Sequence, residues 1–595
     1  MNKLVSHIQA ILLEIITEIY KIEVLESEIS LETPPKKELG DYAFPCFGLS
    51  KTLKKGPAQI AQEIIDFVNK NKEKYNFFSS LEIAGPYLNI KINKLEILSL
   101  INKYNYKKFE VNHSDKLIIV DYIGANVGKP LHIGHMCTPN QGQAMINVYK
   151  KLGFNVISDS HIGDWGIIFG KLIVAYNMWG EENKLKENAV EHLFELYVKV
   201  TTESELNKLL EEEFRNQFKL LSEGNPESIE LWRKFTRYSI DSMNIQLGRL
   251  HIKPDFNIGE SFYEGLGLPK MENYPDLKYS MKMIVEELVK KGIATKNDDN
   301  SVGVVFPDDT KIPSCILQKR DGTHGYLASD LACVKYRVEN WNPESIIYFV
   351  DVRQQLHLKQ VFEIANMAGW IDKKKLIHAY NGFISLKDGA MSTRKGRIIK
   401  LDKLLDEAED RAKKIILEKR QDFSEEELKD ISKKIGVGAI KYGYLRKSRE
   451  TDVIFDWDEF MTFEGNSGPY IQYAYVRAKR ILEKAQKSEH NIILENYEDV
   501  KDQVKEESLN LIKLLVSYTS SDGILVETAE KDMPHILANY CYELTKSFNA
   551  FYNNVDVLGE KNLKIKDLAL SLTNHFAETI KDAFEILGIE MPDKM

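Results

Sequence analysis

The run Leu117-Ile118-Ile119-Val120, followed by Asn126-Val127-Gly128-Lys129-Pro130-Leu131-His132-Ile133-Gly134-His135, constrains this chain more than any other stretch. Four apolar, mostly β-branched residues read as a buried strand. The later segment holds two glycines and a proline, and a helical pattern comes next. The chain therefore passes from strand through a turn into a helix whose first turn carries both histidines. Helix N-termini expose backbone N–H groups and a partial positive charge, which suit phosphate. Two imidazoles three residues apart at such a point can donate to oxygens whose charge changes during phosphate chemistry. A glycine between them has no Cβ, so a flat base can approach the backbone. A lone histidine in such a turn packs in a core or faces solvent; this arrangement predicts a nucleotide site.

A chain of 595 residues holds several domains. Hydrophobic and charged shares of 43% and 28% place it among ordinary globular proteins. No apolar run reaches transmembrane length. Leu4, Ile8, Ile11, Leu12, Ile15 and Ile19 follow helical spacing, and Glu14 and Glu18 interrupt what would otherwise resemble an export signal. A cytoplasmic protein, away from membranes, is expected. Cys46, Cys137, Cys315, Cys333 and Cys541 are scattered, with no CxxC pair and no Cys/His cluster at zinc spacing. That pattern predicts buried thiols in a reducing compartment and no tightly bound, protein-ligated metal. The net charge of −9 is no nucleic-acid signature, yet an RNA-binding enzyme can be acidic overall and basic on one face.

Residues 1–112 read as a first α+β unit, opening on the helix above and closing on Leu88-Asn89-Ile90-Lys91-Ile92-Asn93, which alternates as a half-buried strand does. Gly85-Pro86 marks the turn before it. Residues 113–400 alternate strand and helix, with a charge-rich helical insertion at about 180–250. The segments Val302–Phe306, Ile346–Val350 and Leu376–Tyr380 fit the second half of a doubly wound parallel sheet. Beyond about residue 400 the strands are expected to stop, leaving a helical connector over 401–455 and an all-α domain over 456–595. Pro469 and Pro534 suit first helical turns, and Gly588 suits a helix C-terminus.

A second chemical signal lies about 260 residues after the first. Gly389-Ala390-Met391-Ser392-Thr393-Arg394-Lys395-Gly396-Arg397 is a loop of small and basic residues suited to neutralising a leaving pyrophosphate. Here the chain resembles a known family. His132-Ile133-Gly134-His135 matches the HIGH signature of class I aminoacyl-tRNA synthetases, and Met391–Gly396 resembles the KMSKS variant of the arginyl-tRNA synthetases. Asn126–Pro130, His161–Gly166, Gly259-Glu260-Ser261, Asp321-Gly322-Thr323 with Tyr326 and Asp330, and Gln354 with His357 fall in family order. Gln472-Tyr473-Ala474-Tyr475 with Arg477 is similar to the anticodon-binding helices, and the Met-Pro-Asp-Lys-Met tail is similar too. In two respects the loop departs from the usual signature: Ala390 replaces its first lysine, and Lys395 lies three residues after Ser392 rather than one.

The resemblance implies a Rossmann-type catalytic domain with an insertion, an N-terminal domain that meets the tRNA elbow, and a C-terminal anticodon-binding domain. It implies ATP-dependent activation of L-arginine, with magnesium, and transfer to tRNA(Arg) by a monomer. Catalysis then falls to His132, His135 and Lys395. Gly128, Lys129, Gly134, Gly382, Phe383, Ile384, Met391, Ser392 and Arg394 join them around ATP, with Gly382–Ile384 lining the adenine through backbone groups. Asn126, Glu260, Tyr326, Asp330 and Gln354 frame arginine. Tyr87, Asn89, Tyr473, Arg477 and Met595 meet tRNA. The chemistry agrees: a guanidinium is always charged and carries five donors in a fixed fork, so its buried site needs carboxylates. Arg446, Lys447 and Arg449 make a basic cluster that faces either tRNA or solvent. Trp165 is a packing residue or an adenosine contact. Two rival classes remain at this point, a small nucleotidyltransferase without tRNA and a non-catalytic RNA binder. Arginine- and tRNA-dependent pyrophosphate exchange separates the three.

Overall fold

The computed structural model describes residues 3–22, 24, 29–32, 34–109, 111, 113–268, 270, 272–386, 399–420, 422–486, 497–521 and 523–595. Two compact units emerge: Met1–Val111 with Ile471–Lys531 and Asn539–Ala583, and Asn112–Tyr470 with Asp532–Ala538 and Phe584–Met595.

In the first unit the helix Lys3–Tyr20 buries Ile8, Leu12, Ile15 and Ile16, the stripe that its spacing predicts. It lies beside the helix Pro57–Lys70 and an antiparallel sheet of β1 (Tyr42–Pro45), β2 (Phe78–Ala84) and β3 (Tyr87–Ile92), in the order β1-β3-β2. Sequence boundaries separate this N-terminal part from the C-terminal helices, but the structure joins them. Tyr104 shares a 2.6 Å hydrogen bond with Thr579, and Asp41 pairs with Lys513. Among the helices Phe548 stacks on Phe576 with ring centroids 3.9 Å apart.

The second unit is built on a four-stranded parallel sheet of β4 (Leu117–Asp121), β5 (Asn155–Asp159), β9 (Ser345–Tyr348) and β10 (Leu376–His378), in the order β10-β9-β4-β5. Ile118, Ile119, Val120, Ile346 and Ile347 are buried, as the continuous apolar runs of a helix-covered sheet should be. One core runs from Ile119 and Ile346 through Leu331 and Val334 to Val361 and Ile364, so helices Tyr326–Trp341 and Gln355–Met367 share it with the strands. The insertion forms four helices between Glu182 and Arg249.

Two expectations are corrected. Val302–Val304 is β7 of a small antiparallel sheet with β6 (Thr295–Lys296) and β8 (Cys315–Gln318), not a strand of the parallel sheet. Apolar alternation over so few residues does not reveal a strand's partner. Strands also continue past residue 400, where β12 (Val453–Phe455) pairs in parallel with β11 (Ile384–Leu386). Gly588, at φ +70°, closes the helix Leu563–Ile586 as expected.

Candidate active site

The parallel strands deliver the site at their carboxyl ends. The chain leaving β4 pairs first with β5 and only later returns as β9 on the other side, so strand order reverses at β4. Ligand crevices of open α/β sheets lie at such a reversal. There β4 leads to the histidine turn, β5 to His161–Gly166, and β9 to the 3-10 turn Val352–Gln354.

His132 caps a 3-10 turn, Ile133–Met136, that contains His135 and precedes the helix Thr138–Lys151. The rings cap this turn themselves. The Gly134 N–H donates to His132 Nδ1 at 3.0 Å, and the His132 N–H donates to His135 Nδ1 at 3.1 Å. The Ile133 N–H donates to the Ile399 carbonyl and the His135 N–H to the His132 carbonyl. Free backbone N–H groups for phosphate were expected here; instead each of these four already has an acceptor. A ring that accepts through Nδ1 and stays neutral carries its proton on Nε2. Burial pushes both rings below the ordinary histidine range, His135 to about 3 with His132 adding to the effect. Both are therefore neutral Nε2–H donors. Gly134 serves a different need from the one expected: a Cβ there would lie 2.7 Å from His132 Cε1, so the glycine first makes room for the capping ring.

Asp330 follows Tyr326 by four residues on one helix, so the two share a face. His357 Nε2 bonds its carboxylate at 2.5 Å, and His161 Nε2 lies 3.5 Å away. Burial alone would raise this acid. The His357 bond and the charges of His161, His357 and Arg337 outweigh burial and hold it below the usual carboxylate range. Glu260 begins the short helix Glu260–Glu264. Burial pushes it up to about 8, with Asp330 and Asp164 adding and His161 opposing. Without substrate one acid is ionised and its neighbour protonated, a pair driven apart by environment. Tyr326 is 69% exposed, and its phenol is raised by burial and by Glu260.

The residues that hold these acids escaped sequence reasoning. Asp164 accepts from the Ser261 N–H at 2.8 Å and the Ser261 hydroxyl at 2.6 Å, and the Glu260 N–H donates to the Ile162 carbonyl. The segment after β5 thus sets where Glu260 stands. Arg337 is fully buried and donates to Asp121 and Asp159, each at 2.7 Å, tying the carboxyl ends of β4 and β5 together. The available signal was an acid closing each of two strands.

Other predicted residues fare unevenly. Asn126 and Gln354 are exposed, and the Asn126 side chain crosses Gly163, where no Cβ obstructs it. Gly128 is buried and its N–H donates to Ser239 Oγ, so that N–H is not aimed at a nucleotide. The Lys129 ammonium lies 4.9 Å from the Tyr197 ring centre. The N–H groups of Gly382 and Phe383 donate to the Arg449 carbonyl and Asp452, and the Phe383 carbonyl accepts from Val453. This corrects the expected backbone lining: those groups stitch 382–383 to 449–453, and the Phe383 ring is what remains exposed. Met391, Ser392, Arg394 and Lys395 lie outside the described residues. Trp165 is buried edge-on to Phe218, a packing role. Arg446 and Lys447 pair with Glu459, while Arg449 is buried and bonds the Tyr380 and Asp532 carbonyls.

Of the expected tRNA contacts, Tyr87 is half-buried against Phe47, but Asn89, only 4% exposed, is packed into the central strand β3 rather than presented. Tyr473 and Arg477 line a cleft of about 630 Å³ with Arg480, Lys484 and Tyr552, and the Arg477 guanidinium lies 4.6 Å from the Tyr552 ring centre. Met595 belongs to the second unit, where it packs on a cluster of Ile416, Leu428, Ile431 and Ile435.

A family model described as the catalytic domain of class I (R) tRNA synthetases matches residues 96–457. An arginyl-tRNA synthetase N-terminal domain matches 6–92, and a DALR anticodon-binding domain matches 471–595. The arginine–tRNA ligase of Clostridium perfringens (strain 13 / Type A) is 37% identical over 590 residues, 98% of this chain and 99% of that relative. The chain belongs to the arginine–tRNA ligase family. It is an enzyme of the ligase class, and membership implies ATP, arginine and tRNA as substrates. The Clostridium botulinum (strain Alaska E43 / Type E3) ligase is 35% identical over 588 residues, 98% of this chain and 99% of that relative. The fold matches the arginyl-tRNA synthetase of Thermus thermophilus with a TM-score of 0.79 at 22% identity, and that of Plasmodium falciparum with 0.78 at 23%, each over 100% of both chains. Among the described residues no helix is long and apolar enough to cross a membrane, and no His, Cys, Asp and Glu cluster is arranged to hold a metal ion.

Proposed function

We propose that the arginine carboxylate attacks the α-phosphorus of ATP, expelling pyrophosphate, and that a hydroxyl of the terminal tRNA adenosine then takes the arginyl group, releasing AMP. One observation carries this reading: His132 and His135 are locked as neutral Nε2–H donors at the strand-order reversal. Such donors strengthen their hydrogen bonds as negative charge grows on the phosphoryl oxygens, and they need no proton transfer. Catalysis is then positioning and electrostatics, with no covalent enzyme nucleophile. Asp330 and Glu260 take the guanidinium fork, Tyr326 and Gln354 frame it, and Asn126 holds the α-amino or carboxylate end. The exposed Phe383 ring is offered to adenine. Lys395, with Arg394 or Lys129, neutralises the pyrophosphate, and Met391 and Ser392 belong to the same loop. Magnesium enters as part of the ATP substrate. We read the chain as a monomer of the cytoplasm, a reducing compartment that its five free cysteines suit. Pyrophosphate exchange that needs both L-arginine and tRNA(Arg) is the expected result. Exchange without tRNA, or none, overturns the reading.

Arginine binding should expel a proton. Free Glu260 is raised to about 8, whereas the guanidinium-bound acid must be ionised. Below that pH the carboxyl gives up its proton on binding, so affinity rises with pH by up to about tenfold per unit and levels off above about 8. Calorimetry in two buffers of unlike ionisation enthalpy measures the release, and Glu260→Gln should flatten the slope. A pH-independent wild type would contradict the split acid pair.

The cleft around Arg477 suits unstacked anticodon bases, which stack on aromatic and guanidinium planes while cations meet phosphate. Arg477→Ala should weaken tRNA binding by roughly tenfold or more, with arginine KM unchanged. Filter binding at fixed salt checks this; unchanged tRNA affinity would remove the cleft from the tRNA interface.

A further inference from the structure

The reaction above leaves the helical insertion without a task. We propose that its helix Ala189–Leu206 braces the histidine turn, with Glu191 and Lys400 as positioning residues for arginine activation. This rests on the reading that His132 and His135 serve that step.

Residues 399–401 run antiparallel to residues 131–133. The Ile133 N–H donates to the Ile399 carbonyl at 2.9 Å and the Leu401 N–H to the Leu131 carbonyl at 3.0 Å, with His132 and Lys400 facing each other. The backbone that carries His132 is thus held by the backbone of Lys400. The Lys400 side chain reaches the insertion, where Nζ donates to both Glu191 oxygens at 2.6 and 2.5 Å. Glu191 is itself well placed. It stands in the first turn of its helix, where the dipole favours an acid, and its N–H donates to the capping Asn188 side chain.

The same helix grips the other flank. Tyr197 presents its ring to Lys129, three residues before His132. Behind these contacts Leu196 and Val200 pack with Val174, Ala175 and Phe214, which backs the helix with buried side chains. In sequence Lys400 follows the last glycine of the basic signature, Gly396, by four residues.

Both partners are about one-third exposed, so the ion pair contributes little to stability. Its effect is on geometry, to which positioned phosphate chemistry is sensitive at the ångström level. Glu191→Gln and Lys400→Met should each lower kcat for arginine-dependent exchange by roughly tenfold, with arginine KM and Tm near wild type. Because both remove one contact, the double variant should be no slower than either single one. The charge-reversed pair Glu191→Lys with Lys400→Glu should recover exchange to within about threefold of wild type. Rates within about twofold of wild type, multiplying losses in the double variant, or a Tm that falls in step with kcat would overturn the proposal. An inactive wild-type chain would overturn the proposed function and this brace with it, whereas an active one with insensitive variants overturns the brace alone.

Discussion

His135→Asn lowers the rate of arginine activation by about 10²–10³-fold, while tRNA affinity and Tm stay close to wild type. The expectation follows from the two jobs of one ring. His135 Nδ1 caps the turn by accepting the His132 N–H, and Nε2 is left to donate. An asparagine oxygen reaches the cap, so the turn keeps its acceptor, but nothing extends to where Nε2 stood. His135→Gln is the complement: its amide reaches the Nε2 position and leaves the cap unmade. It should recover part of the rate at some cost in Tm, about 1 kcal/mol for a lost cap. Single-turnover activation and thermal melts read the two effects separately. If the asparagine variant keeps its rate, His135 is a structural cap only.

Asp330→Asn raises the arginine KM by about 10²–10³-fold and leaves the ATP KM within about twofold. Removing one charge of a desolvated pair leaves the guanidinium short of a partner, a defect far larger than that of a surface ion pair. Asparagine still accepts from His357, so the helix Tyr326–Trp341 keeps its tie to the helix Gln355–Met367. Citrulline, close to arginine in shape but uncharged, should not be activated by the wild type. Equal loss of arginine and ATP use in the variant would move the guanidinium away from Asp330.

What was legible in the sequence follows from local rules. The stripe at Ile8, Leu12 and Ile15, the buried strand Leu117–Val120 and the cap at Gly588 each depend on residues within a few positions, and each appears. The misplaced strand Val302–Val304 and the unforeseen β12 are pairings at a distance, which short apolar runs do not encode. The site divides in the same way. His132 and His135 were singled out through residue type and spacing, and Glu260 and Asp330 only through the resemblance to the family. Their support was not, because Asp164 reaches Ser261 across 97 positions and Arg337 reaches Asp121 across 216. Asn89 shows the converse. Its residue type suits RNA contact, but it lies buried inside a central strand.

A crystal structure of the chain with tRNA(Arg) and a non-hydrolysable arginyl-adenylate mimic tests the central claim most directly. The account predicts the guanidinium between Asp330 and Glu260, with the Nε2 atoms of His132 and His135 at hydrogen-bond distance, about 3 Å, from phosphoryl oxygens. A guanidinium bound elsewhere, or imidazoles turned so that Nδ1 faces the phosphoryl group, would contradict it.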